Sequence, residues 1–169
     1  CDKIEEAGKK PEGLTGVISG FTRLDSITFG WQPSDMIIIA ARPSVGKTAF
    51  VLSMLRNVAV ERNIPVAMFS LEMDAVSLVM RMIVSESGLK RDKIMRGKLS
   101  SDEWTGLYKS TKKLVESPFY IDDTPALSIS EFRAKCRRLK ARYDVQLVAI
   151  DYLQLMTSYN AGTREQEVS

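Results

Sequence analysis

Four short hydrophobic runs punctuate the chain with no polar alternation inside them: Met36–Ala40, Val66–Ser70, Phe119–Ile121 and Val145–Ile150. Runs of this length without a polar face predict strands covered on both sides. Between them the apolar positions follow helical spacing. Lys47 to Arg62 follows the first run, with Pro65 as its stop, and Ala75 to Glu86 follows the second and ends at Gly88. Within that second helix Val76, Val79, Met80 and Ile83 form the expected inward stripe, while Leu78 and Met82 fall off it. So wide an apolar surface predicts burial on two sides, one of them by a neighbouring subunit. Two more helices carry start signals. Ser100-x-x-Glu103 and Ser128-x-x-Glu131 fit the capping box, in which each partner satisfies an orphan backbone N–H of the other. After the second box, Ile129, Phe132, Cys136, Leu139 and Tyr143 recur at steps of 3, 4, 3 and 4, which turns one apolar stripe toward a sheet and the Arg/Lys face outward.

Regular strand–helix alternation implies right-handed crossovers, hence an α/β fold whose mostly parallel sheet has helices on both faces. Such sheets bind ligands at the carboxyl ends of their strands. The residues to inspect therefore follow Ala40, Ser70, Ile121 and Ile150. Ahead of the first run, residues 13–30 hold several glycines among isolated apolar positions and read as turns leading into a domain. Residues 1–12 read as the end of a linker and 13–169 as one domain. The start at Cys1 and the stop at Ser169 within a polar, helix-compatible stretch suggest a piece of a longer protein.

Composition changes this picture mainly by exclusion. The 169 residues include no histidine, which removes His-dependent triads, His-ligated zinc and His proton shuttles. Two cysteines, Cys1 and Cys136, make neither a disulfide framework nor a metal cluster, and favour a reducing, cytoplasmic compartment. No apolar run approaches the roughly 20 residues that cross a bilayer. The 24 basic and 21 acidic residues leave a charge of only +3. That is too mild to argue for nucleic acid by itself. Six of the basic residues fall between Glu131 and Arg142, a run that a solvated helix face explains more simply than a phosphate-binding surface.

The candidate chemistry begins just after the first run. Ala41-Arg42-Pro43-Ser44-Val45-Gly46-Lys47-Thr48 fits the phosphate-binding loop, with Ala41 in place of its first glycine. Backbone N–H groups turned inward by such a loop, and the positive end of the helix after it, together hold a polyphosphate. Lys47 would neutralise the β- and γ-phosphates of ATP, and Thr48 would offer its hydroxyl to Mg²⁺. Asp151 closes the fourth run. A carboxylate there can be a simple strand end, but paired with the loop it is favoured as the second metal residue. Glu72, two residues past Ser70, can orient or deprotonate an attacking water, and can equally be an exposed acid near a helix start; position leaves both open. Asp122 and Asp123 are adequately explained as turn residues before Pro125.

Several segments together resemble the ATPase domain of bacterial replicative DNA helicases, the DnaB family. They are the Ala40–Ala49 loop, Phe69-Ser-Leu-Glu-Met73, Ile121-Asp-Asp-Thr-Pro125, Arg133-Ala-Lys-Cys-Arg-Arg138, Ile150-Asp-Tyr-Leu-Gln-Leu155 and the lead-in Gly16–Asp25. The resemblance runs from about Gly13 to Ser169. It implies a RecA-like P-loop NTPase fold, a homo-hexameric ring around single-stranded DNA, and ATP- and Mg²⁺-dependent translocation 5′ to 3′ that unwinds forked DNA. It also implies primase and a helicase loader as partners, and no membrane. By position it makes Lys47 and Glu72 the catalytic residues, 41–48 the nucleotide loop, and Thr48 and Asp151 the metal pair, with an alanine at 41 usual for the family. It further implies a polar sensor, an arginine finger and DNA-contacting loops that lie outside this chain, so that the chain alone would hydrolyse ATP slowly. A ring-forming ATPase switch that unwinds nothing is the alternative reading.

Overall fold

The computed structural model describes residues 15–42 and 44–156. Its sheet has three parallel strands in the order β2-β1-β3, with β1 at Val66–Ser70, β2 at Phe119–Asp122 and β3 at Leu147–Asp151. All five β1 residues are buried, as a central strand without polar alternation requires. Its side chains alternate between two cores. Val66 and Met68 join Val51, Leu52, Met54 and Leu55 of helix α2 (Lys47–Arg56) and Leu78 and Met82 of α3 (Ala75–Ser87). Ala67 and Phe69 face Leu127 and Val145, with Phe132, Cys136 and Leu139 of α6 (Ile129–Tyr143) packed against them. The Phe132 ring meets the Phe69 ring edge-on at 4.9 Å. Helices thus cover both faces of the sheet, as the alternation predicts.

Most element ends follow their local signals. Both capping boxes form in full, Ser100 opening α5 (Ser101–Glu116) and Ser128 opening α6. Asp74 caps α3 and Gly88 ends it in the left-handed region. The helix after the phosphate-loop motif stays regular only to Arg56, then widens into a π-helical turn over Asn57–Glu61. Two short helices escape the hydrophobic pattern, α1 (Thr22–Thr28) in the stretch read as turns and α4 (Arg91–Met95). The first belongs to a stapled lead-in. Val17 bridges Trp31, and the buried Asp25 carboxylate accepts hydrogen bonds from the Ser19 and Gly20 amides at 2.7 and 3.1 Å. Gly20 has φ +79°, and a Cβ there would stand 2.3 Å from Cβ of Asn57, so only glycine lets the lead-in approach the end of the α2 segment. Phe21 then stacks on Phe50 of α2 at 5.0 Å.

Two expectations need correction. Met36–Ala40 is not a strand: it pairs with no other described segment, and Met36 and Ile38 are 76% and 77% exposed. Only Ile39 packs on the first core. A run that is apolar on both sides needs a neighbour on each side, and among the described residues β3 is hydrogen-bonded only to β1 and leaves its other edge open. The stripe of α3 is also displaced. Leu78 and Met82 are its buried residues, whereas Val76 and Val79 are exposed. The face that meets the sheet is the one fixed by packing against α2 and α5, and helical spacing alone cannot choose between two adjacent apolar arcs.

Candidate nucleotide site

The loop after Ala40 owes its shape to two residues in the left-handed region, Ser44 at φ 65° and Gly46 at φ 105°. Gly46 precedes α2, and a Cβ there would meet nothing within 4 Å, so backbone conformation and not crowding demands the glycine. Ala41 keeps a negative φ, and the substitution of the first glycine therefore carries no strain. The Val45 amide donates to the Arg42 carbonyl at 3.3 Å, closing the turn that delivers the chain to α2. Ala41, Arg42, Ser44, Val45 and Gly46 are exposed, as a ligand cradle requires, while Pro43 lies outside the described residues.

The far wall comes from β3. Register pairs Ser70 with Asp151, and the Leu71 amide donates to the Asp151 carbonyl at 2.8 Å, so the ends of β1 and β3 are locked together. The Asp151 side chain is buried, the whole residue being only 3% exposed. Its Oδ2 accepts a 2.6 Å hydrogen bond from the Thr48 hydroxyl, and its Oδ1, which accepts no other hydrogen bond, is balanced by the Lys47 ammonium 2.8 Å away. A buried carboxylate with one oxygen held by charge alone is costly unless a cation neutralises it. The ring of Tyr152 covers the same ammonium at 4.7 Å from its centroid. Spacing could not reveal that contact; the only trace of it in the sequence is an aromatic residue directly after Asp151.

Glu72 sits on the turn leaving β1. Ser70 shapes that turn twice: its hydroxyl donates to the Met73 carbonyl at 2.6 Å and accepts from the Met73 amide at 3.2 Å. Glu72 is exposed and lies one residue past Leu71, which is bonded to Asp151, so it stands on the same rim of the sheet. Asp123, read as a turn residue, also accepts a 2.8 Å hydrogen bond from the Ala75 amide and so anchors the start of α3. The donor set of one hydroxyl and one carboxylate suits Mg²⁺, which keeps most of its own waters and takes the rest from phosphate oxygens. It does not suit zinc, and no group of three or more Cys, Asp or Glu residues clusters as a metal cage among the described residues.

This loop, strand end and acid all fall within the match to a family model, that of the DnaB-like helicase C-terminal domain, over residues 16–169. The chain belongs to that family. Its curated relatives include the replicative DNA helicase DnaB of Geobacillus stearothermophilus and the replicative DNA helicase DnaC of Bacillus subtilis, each 46% identical over 99% of this chain. The chain spans 37% of the length of each. Among solved structures, one described as an ATPase domain superposes with a TM-score of 0.88 at 33% identity, covering 96% of this chain and 59% of that one. A DnaB-like replicative helicase, described with its interactions with primase, gives 0.87 at 33% identity, over 96% and 41% of the two chains. The α/β architecture is thus that of DnaB-like, RecA-like ATPase domains. No described helix of this DnaB-like chain is long and apolar enough to cross a membrane.

Proposed function

We propose that this chain is the nucleotide-binding part of an ATP-driven replicative DNA helicase. One observation carries the reading. Lys47 and Thr48, at the start of α2, both touch the Asp151 carboxylate at the end of β3, from positions over a hundred residues away in sequence. An ammonium, a hydroxyl and a buried carboxylate brought together beside an exposed glycine-bearing loop are the components of a magnesium–triphosphate site.

In this reading the backbone N–H groups of the 41–48 loop other than Pro43, with the start of α2, bind the phosphates, and the Lys47 ammonium neutralises charge on the β- and γ-phosphates. Thr48 and Asp151 hold Mg²⁺, which supplies electrostatic stabilisation of the charge spread over the transferred phosphoryl group. Glu72 orients the attacking water and accepts its proton, the step for which an exposed carboxylate on this rim is suited. The alternative for Glu72, a bland acid before a helix, is weakened by the capping hydrogen bonds of α3: they are made by Asp74 and Asp123 and leave Glu72 without that task. Membership of the DnaB-like family and the names of its relatives, replicative DNA helicases, support DNA unwinding in replication, and the resemblance of its motifs extends the proposal to a cytoplasmic homo-hexamer that encircles single-stranded DNA and moves 5′ to 3′. The solved replicative helicase described with its interactions with primase supports contact with primase, and the motif resemblance adds a helicase loader to the proposed partners.

Glu72→Gln in the full-length protein provides the test. The expected outcome is retained binding of a fluorescent ATP analogue, with kcat for ATP lowered by about a hundredfold or more. Unchanged turnover would remove Glu72 from the chemistry. Strand displacement on a forked duplex by the wild-type protein separates the helicase from a ring-forming ATPase switch, which would hydrolyse ATP and displace nothing.

A further inference from the structure

The molecule has a second concavity, away from the loop and Asp151. A groove of about 710 Å³ runs between β2 and α6. Tyr120 and Leu139 give it apolar walls, the Phe119 and Ile121 side chains packing against the core on the other face of the sheet, and Tyr143 lies stacked on Tyr120 with ring centroids 4.5 Å apart.

Its rim is cationic. Positions 135, 138 and 142 fall on one flank of α6 by helical spacing, and Lys135, Arg138 and Arg142 all line the groove. Lys135 is already balanced, with its ammonium 2.5 Å from Asp122, the one acid lining the groove, and 2.7 Å from the Thr124 hydroxyl. Arg138 and Arg142 meet no carboxylate among the described residues; Arg142 instead lies over the Tyr143 ring at 5.2 Å. Two uncompensated guanidinium groups therefore stand over an apolar floor. The adjoining strand is also open: among the described residues β2 pairs only with β1, through a parallel ladder that uses alternate residues and turns the others toward the free edge. Open edges are normally blunted by charge or cover.

We infer that this groove docks an acidic peptide segment of a partner protein, laid along β2 with aliphatic side chains in the groove and carboxylates on Arg138 and Arg142. Charge complementarity selects the occupant. Bidentate guanidinium–carboxylate pairs satisfy the two arginines, and main-chain hydrogen bonds to a sheet edge add affinity without demanding a long sequence match. A nucleic acid strand fits less well. It binds through aromatic faces free to stack bases, and here the two tyrosine rings are stacked on each other.

The test uses the full-length protein and a fluorescein-labelled peptide of roughly ten residues repeating Glu-Thr-Leu-Thr, which as a strand puts glutamate and leucine together on the groove face and threonine on the other. Fluorescence anisotropy is expected to give saturable binding, weakened at least about ten-fold in the double variant Arg138→Glu, Arg142→Glu. Both arginines are on the helix surface, so the melting curve and ATP turnover of the variant are expected to match wild type. Absence of saturable binding, or equal binding by the variant, overturns the proposal. So does displacement of the peptide by an oligothymidine of equal charge whose own binding is lost in the same variant, which would assign the groove to nucleic acid.

Discussion

Val66–Ser70 and Met36–Ala40 are both five-residue apolar runs without a polar face, and they end in opposite environments. Every residue of the first is buried, whereas four of the five in the second are exposed and the run pairs with no described segment. Both runs lead into the nucleotide end of the molecule, one into the Glu72 turn and the other into the phosphate loop. Hydrophobicity favours removal from water in proportion to the area covered, but it does not name the surface that does the covering. β1 has a strand on each side and a helix layer on each face, and Met36–Ala40 has one inward residue, Ile39, against the core. The edge strand β2 lies between these extremes, half-buried throughout.

The sharpest break between the two runs is Phe69→Ala. Phe69 is fully buried and edge-on to Phe132, so truncation is expected to cost about 3–5 kcal/mol in urea unfolding. A cost below about 1 kcal/mol would mean that β1 is not central. Next comes Thr48→Val, which removes the donor to Asp151 Oδ2 and leaves a buried carboxylate oxygen unsatisfied. The expected loss is about 1–3 kcal/mol, measured by the same unfolding curves in the absence of nucleotide.

A smaller effect is expected at the end of β2. Burial alone would raise the Asp122 carboxyl, but hydrogen bonds from Lys135 and Thr124 outweigh it and hold the group below the ordinary carboxylate range. A depressed folded value contributes stability above the unfolded value of about 3.9, and that contribution is lost as pH falls through the folded value. The gap in urea midpoint between wild type and Asp122→Asn should therefore be open at pH 7 and shrink as pH drops below about 4. A gap independent of pH would show that the ion pair does not carry the difference. The smallest change is expected from Ile38→Ala in this chain, within about 0.5 kcal/mol, because an exposed side chain forfeits little on truncation. Should it cost as much as Phe69→Ala, the two runs are equally covered in solution and the contrast fails.

Much of the site was legible because its parts are local. The loop needs a residue with φ > 0 before a helix, and Gly46 supplies it in sequence. The capping boxes at Ser100 and Ser128 are four-residue statements that fold as written. Ala41 shows the limit of motif reading: the missing glycine looks like a defect until its negative φ removes the reason for one. Tyr152 over Lys47 and Asp123 holding α3 were not legible, since each contact joins groups whose meeting depends on the fold.

Hydrophobic period, caps and the phosphate-loop spacing by themselves determined the α/β class, three of the four strands, the principal helices and the identities of Lys47, Thr48, Glu72 and Asp151 as candidates. These are properties of neighbours within a few residues, where backbone geometry leaves few choices. Tertiary structure alone decided that Leu78 and Met82 face inward while Val76 and Val79 face out, that Met36–Ala40 goes unpaired, and that Asp151 receives both Lys47 and Thr48. Each outcome depends on which surfaces distant in sequence are brought together: Leu78 and Met82 gain apolar cover and Asp151 gains charge neutralisation, whereas no described segment pairs with Met36–Ala40.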